Sequence, residues 1–194
     1  MIFHQTAIPG AWLIEPDRLE DERGFFARSW CADTFARRGL NPRLVQCNIS
    51  YNRTRGTWRG LHFQTPPHEE DKLIRCTQGA IYDVLVDLRP ESPAYLRPAG
   101  FELTSGDRRQ LYIPSGVAHG FLTLADDTEL LYQMSEYHEP TSARGLRYDD
   151  PAIALELPEP VRVISLRDRT YPDFRPPLAS AAESNVSGGQ PATY

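Results

Sequence analysis

The sequence predicts an all-β fold, a sandwich or barrel with one short helix, on the strength of three observations. Period-2 alternation and turn residues dominate the chain, its eight short candidate strands are mostly bounded by Gly, Pro, Asn or Asp, and helical periodicity is scarce. Many strands beside one minor helix bury an apolar face either as two packed sheets or as one closed sheet.

The helix comes first in the chain, at 32–38 (ADTFARR), with Gly39 placed as its C-terminal cap and Pro42 barring continuation. Strand 44–51 (LVQCNISY) sends Gln46, Asn48 and Ser50 to one face and Val45, Cys47, Ile49 and Tyr51 to the other. An amide face of that kind suits a barrel interior that holds something polar; a strand with one face in solvent has the same pattern. Strand 56–63 carries Arg59 and His62, which plain alternation sends to opposite faces. Gly60 between them can host a bulge that re-aims one of the two. Strands 73–77 and 79–88 (GAIYDVLVDL) meet at Gly79. Strands 99–104, 110–114, 117–124 and 128–135 complete the set, separated by turn residues of the SGD, PSG and ADD type.

The chain of 194 residues, 40% hydrophobic, is expected to form a single domain over 1–174 around one sizeable core. From about Arg175 the composition shifts to RPPLASAAESNVSGGQPATY, which has few bulky apolar groups to offset the entropy of ordering, so 175–194 is expected to be a disordered tail. A net charge of −5 without a basic cluster leaves no excess of cations for a phosphate backbone, and no nucleic-acid partner is expected. No apolar run approaches the roughly 18 residues that cross a bilayer, so no membrane partner is expected either. Cys31, Cys47 and Cys76 lack C-x-x-C spacing, and MIFHQTAIPG lacks the build of a signal peptide; a reducing, cytoplasmic setting is expected.

The stretch GTWRGLHFQTPPHEEDK (56–72) concentrates an arginine, two histidines, two glutamates and a lysine. Of 21 basic residues in the chain, Lys72 is the one lysine and the other 20 are arginine. An ammonium is a compact point charge whose pKa moves readily, whereas guanidinium is a planar fork that stays charged. Two chemistries fit. His62, His68, Glu69 or Glu70, and His119 are donors of the kind that hold Fe, Mn or Zn, and IPSGVAHGF around His119 resembles the second motif of the cupin barrels. The first cupin motif needs a histidine two positions before His62, where Gly60 stands, so the ligand set is incomplete. Proton transfer beside a carbonyl is the second chemistry. An imidazole has a pKa suited to that task, and it needs an orienting carboxylate, a cation for the developing enolate and an acid to return the proton.

Eight motifs occur in order: DERGFF (21–26), QCNIS (46–50), RGLHFQ (59–64), KLIRCTQGAIYDVLVDLRPESP (72–93), LYIPSGVAHGF (111–121), ELLYQMSEY (129–137), GLRYDDP (145–151) and SLRD (165–168). Together, over roughly residues 3–174, they resemble the dTDP-4-dehydrorhamnose 3,5-epimerase family, a metal-independent branch of the cupins. The resemblance implies a cupin-type jelly-roll β-barrel and an isomerase without metal or other cofactor. Its substrate would be a nucleotide-diphosphate sugar, a (d)NDP-4-keto-6-deoxyhexose inverted at C3, C5 or both. His62 resembles the catalytic base, Asp168 the carboxylate that orients it, Lys72 the cation at the enolate oxygen, and Tyr132 the acid on the opposite face. Arg23 and Arg59 match arginines that contact the diphosphate or sugar, Gln46 and Asn48 match pocket-lining amides, Phe26 an aromatic near the base, and His119 a histidine beside the substrate. The family also implies a homodimer in which the DERGFF segment reaches the neighbouring site.

Departures from the family pattern bear on specificity. Arg28 stands where glutamate is usual near the nucleotide base, Gln133 replaces a lysine, SPAYLRPAGFEL lacks T-F-G-x-W, and Leu157 replaces a tryptophan. The resemblance therefore fixes neither the base nor the carbon inverted. A metal-dependent cupin dioxygenase and a non-catalytic sugar-binding cupin are the competing readings.

Overall fold

Antiparallel pairing dominates the computed structural model of the chain, which describes residues 1–175. The strands are β1 (Ile2–Gln5), β2 (Trp12–Glu15), β3 (Arg18–Asp21), β4 (Gly24–Ala27), β5 (Gln46–Asn52), β6 (Thr57–Gln64), β7 (Lys72–Gln78), β8 (Ala80–Asp87), β9 (Pro98–Thr104), β10 (Gln110–Ile113), β11 (Val117–Thr123), β12 (Thr128–Met134), β13 (Ala143–Gly145) and β14 (Val163–Ile164). Helix α1 (Ala32–Arg37) precedes β5, and the one-turn helix α2 (Leu166–Arg169) follows β14. The eight expected strands correspond to β5 to β12, and the expected helix to α1. The tail expected to be disordered lies, apart from Arg175, outside the described residues.

One sheet runs β1-β2-β10-β7-β12-β5 and the other β13-β6-β11-β8-β9, with β14 joining β6 in parallel. Side chains from both sheets meet between them: Ile74 and Cys76 of β7, Leu111 and Ile113 of β10 and Leu130 of β12 pack with Ile81 and Leu85 of β8, Leu103 of β9 and Phe121 of β11. Two facing antiparallel sheets with this interleaved interior make the cupin-type jelly roll.

Each sheet also buries its outer face. Over β6, β8 and β11, a second cluster of Trp58, Leu61, Val84, Ala118 and Leu122 is covered by Leu146 and Ile153 from the long C-terminal segment. Strand β11 is consequently buried along its whole length, which is why VAHGFLT reads as a nearly continuous apolar run. Over β2, β7 and β10, α1 lays Phe35 against Leu73 and Tyr112. A fully buried side chain of this size contributes roughly 1.5–3 kcal/mol relative to exposure. Both sheets are thereby anchored from outside as well as inside, and their polar inner residues are held at one end of the barrel.

The hairpin β3–β4 is different. It pairs only with itself, Arg18 to Ala27 and Asp21 to Gly24, and it leaves Leu19 68% and Phe26 74% exposed.

Candidate active site

Gly60 decides the geometry of β6. Strand β11 pairs His119 with His62 but Phe121 with Arg59, so Gly60 and Leu61 together oppose the single residue Gly120. That bulge turns Arg59 and His62, three positions apart, toward the same interior while Leu61 packs outward. Only glycine fits here: φ is +137°, and a Cβ would collide with the Gly120 Cα.

His62 Nε2 donates to Asp168 Oδ1 at 2.7 Å. The bond places a proton on Nε2, so that in the neutral ring it is Nδ1 that carries the lone pair. Asp168 lies in the first turn of α2, whose N-cap Ser165 accepts from the Asp168 backbone N–H. Burial would raise the Asp168 carboxyl, but the His62 hydrogen bond and charge outweigh it together with the Gly60 and Ser165 contacts, and the carboxyl is held below its ordinary value.

Opposite this pair stands the other sheet. Met134 of β12 pairs with Lys72 of β7, and Tyr132 pairs with Asn48 of β5, so Lys72, Tyr132 and Asn48 share the inner face. A cleft of about 300 Å³ opens between the sheets, lined by His62, Arg59 and His119 from one side and Lys72, Tyr132 and Asn48 from the other. The amide face of β5 therefore looks into the cleft. Gln46 supports it from outside the lining, donating from Nε2 to Asn48 Oδ1 at 3.2 Å. Arg59 is aimed by the buried Asn52, whose Oδ1 accepts from Nε at 2.7 Å.

Tyr132 meets His119 edge to face, with centroids 5.8 Å apart and planes at 70°. Desolvation holds the Tyr132 phenol well above its ordinary value; Asp83 adds to the effect and Arg59 opposes it. The hydroxyl is a neutral proton donor throughout the physiological range. Asp83 itself accepts from His119 Nε2 at 3.0 Å, and both residues are buried. Burial raises the Asp83 carboxyl, with His119 pulling in the other direction.

Several features escape sequence reasoning. Asp83 looks like one more alternating position of a strand, and its partnership with His119 depends on the register of β8 against β11. Arg167, next to Asp168, lines both the main cleft and an adjoining depression behind His62 that Asp168 also lines. Lys72 is paired: its Nζ lies 2.5 Å from Glu70 Oε1, and both side chains are buried.

The expected metal donors part company. His62, Glu70 and His119 line the cleft, each already bonded to Asp168, Lys72 or Asp83, while His68 and Glu69 do not line it. Among the described residues no group of three or more His, Cys, Asp or Glu side chains is arranged to hold a metal ion. Arg23, Phe26 and Arg28 are also outside this chain's cleft: they are exposed on or just beyond the β3–β4 hairpin, where Arg23 pairs with Asp21.

A family model described as dTDP-4-dehydrorhamnose 3,5-epimerase matches residues 5–176. The dTDP-4-dehydrorhamnose 3,5-epimerase of Salmonella typhimurium is 42% identical over 159 residues, 81% of this chain and 86% of that protein. The dTDP-4-dehydrorhamnose 3-epimerase of Streptomyces niveus is 37% identical over 170 residues, 87% of this chain and 82% of that one. The crystal structure of the Bacillus anthracis dTDP-4-dehydrorhamnose 3,5-epimerase, with TDP and PPi bound, superposes with a TM-score of 0.85 at 39% identity, covering 89% of this chain and 99% of that chain. By the family match over nearly all the described residues and by these identities, the chain belongs to the dTDP-4-dehydrorhamnose 3,5-epimerase family.

Proposed function

We propose that this chain is a carbohydrate epimerase that inverts C3, C5 or both of a nucleoside-diphosphate 4-keto-6-deoxyhexose, with dTDP-4-dehydro-6-deoxyglucose the substrate that fits best. The carrying observation is the confrontation of His62, backed by Asp168, with Tyr132 and Lys72 across one cleft whose two walls come from different sheets.

The 4-keto group acidifies the C–H bonds on both sides of it. His62 Nδ1 takes a proton from one of those carbons, the C–H electron pair forms a double bond from that carbon to C4, and the carbonyl π electrons settle on O4. Lys72 holds the resulting enolate oxygen, a preorganised donor contributing on the order of 3 kcal/mol to the barrier lowering. Tyr132 delivers its hydroxyl proton to the opposite face of the planar carbon, and the centre is inverted. A side chain 44% exposed lets His62 pass its proton to water, and Tyr132 regains one before the next turnover. No cofactor enters this sequence of steps.

Arg59, Arg144 and Arg167 line the cleft and supply guanidinium forks for a diphosphate. Arg23, Phe26 and Arg28 act in trans from a second subunit of a homodimer, a reading supported by the apolar residues exposed on the hairpin and on β5, where Ile49 is 68% exposed at the end of a sheet. The working unit is a single domain, residues 1–174, in the cytoplasm; among the described residues no helix is long and apolar enough to cross a membrane.

The test is incubation with nucleoside-diphosphate 4-keto-6-deoxy sugars in deuterium oxide, read by NMR. Deuterium entering at C3, C5 or both, with inverted configuration, is the expected result, and it also reports regiochemistry. Binding without any exchange would leave a sugar-binding protein instead.

A further inference from the structure

Glu70 is a buried carboxylate with one oxygen occupied and one idle. Oε1 lies 2.5 Å from Lys72 Nζ, whereas Oε2 has no hydrogen-bond partner among the described residues, although the side chain is only 4% exposed. An unsatisfied buried carboxylate oxygen is costly, and proteins keep such groups where something else supplies the donor. Glu70 also lines the cleft, two residues before Lys72 and beside the position proposed for the sugar ketone.

The chemistry of the substrate class offers that donor. In a 4-keto-6-deoxyhexose, C5 carries the ring oxygen and a methyl group, so the one hydroxyl adjacent to the ketone is on C3. An α-hydroxy ketone presents an acceptor and a donor on neighbouring carbons. Lys72 and Glu70 present a donor and an acceptor on touching side chains. We propose that Glu70 is a specificity-determining residue: Oε1 fixes the Lys72 ammonium at the ketone oxygen, and Oε2 accepts the hydrogen bond of the C3 hydroxyl. This proposal rests on the epimerase reading above. The site so formed reads the ketone and its neighbouring hydroxyl as one unit, and a sugar lacking the hydroxyl leaves the buried Oε2 without a donor while the Lys72–Glu70 pair stays intact.

The experiment is a cycle of two proteins and two ligands. Wild type and Glu70→Gln are titrated calorimetrically with the 4-keto-6-deoxy sugar nucleotide and with its 3-deoxy analogue. The amide that Glu70→Gln introduces can still turn an oxygen toward Lys72, but it then offers N–H rather than an acceptor to the substrate. Wild type is expected to bind the hydroxylated ligand about 10- to 100-fold more tightly than the 3-deoxy one, as for loss of a hydrogen bond to a buried charge. In E70Q that ratio is expected to collapse to within about threefold. Equal loss of affinity for both ligands in E70Q, with the ratio unchanged, would mean that Glu70 acts only by holding Lys72, and would overturn the proposal. So would a wild-type protein that does not distinguish the two ligands, a result that stands even if E70Q fails to fold. Failure of the epimerase reading shows itself separately, as absence of deuterium exchange in wild type.

Discussion

The molecule contains two histidine–carboxylate pairs that face each other across strands β6 and β11, and their surroundings differ in every respect that matters for proton transfer. In His62–Asp168 the imidazole side chain is 44% exposed and the carboxylate 6%; in His119–Asp83 the values are 4% and 0%. Asp168 is delivered by a one-turn helix and held below its ordinary pKa, whereas Asp83 is built into the sheet and pushed above it by burial. On the proposed mechanism, the same two functional groups serve as an exchangeable base at the cleft and as a fixed support beside it. Exposure of the ring separates the roles, since a base must reach both substrate and water, while a buried pair has no route for its proton.

Breaking the exposed pair is expected to cost activity, and this is the largest effect. His62→Asn should lower kcat by about 10³- to 10⁴-fold, the upper range for general acid–base catalysis, with a melting temperature lowered less than in a variant of the buried pair because the ring is half exposed. Rate assays beside thermal unfolding check both halves. Tyr132→Phe should suppress net inversion about 10²- to 10³-fold yet leave exchange at the carbon that His62 deprotonates, so deuterium washes in with retained configuration. Loss of both exchange and inversion would mean that Tyr132 does more than return the proton.

Breaking the buried pair is expected to cost stability instead. His119→Asn leaves the fully buried Asp83 without its partner, and removing one member of such a pair costs about 3 kcal/mol or more. Urea denaturation should therefore show a clearly lower midpoint for this variant than for His62→Asn. If the order were reversed, the division into base and support would be wrong.

Much of this division is legible in the sequence, and the part that is not has a physical reason. Strands β5 to β12, apart from the four-residue β10, have seven or eight residues, long enough for a strand pattern to register, and the glycine between Arg59 and His62 signals the bulge that lets both face inward. Strands β1 to β4 have four residues each, too few for alternation to stand out, and β3–β4 buries no complete face. Strands β13 and β14 have three and two residues and exist because β6 offers an edge to them. His62, Lys72, Tyr132 and His119, grouped by the family resemblance, do line one cleft. Asp83 escapes a reading of the sequence because a carboxylate inside an apolar strand acquires meaning only from its neighbour on β11. The role of Glu70 escapes it because its pairing depends on how the loop before β7 folds back.

The smallest expected effect is a difference of sign with pH. Asp168 has a folded pKa below its ordinary 3.8, so its contribution to stability is present above that value and fades as pH falls through the lower folded pKa. Asp83 has a folded pKa above 3.8, so its contribution is fully present below 3.8 and is lost as pH rises through the raised value. Comparing wild type with Asp168→Asn by urea denaturation should show the wild-type advantage growing as pH is raised from about 3 toward neutrality. The comparison with Asp83→Asn should show the wild-type advantage shrinking along the same scan. Parallel curves for the two variants would mean that the two carboxylates experience the same environment, contrary to a cleft-side pair and a buried one built from the same residues.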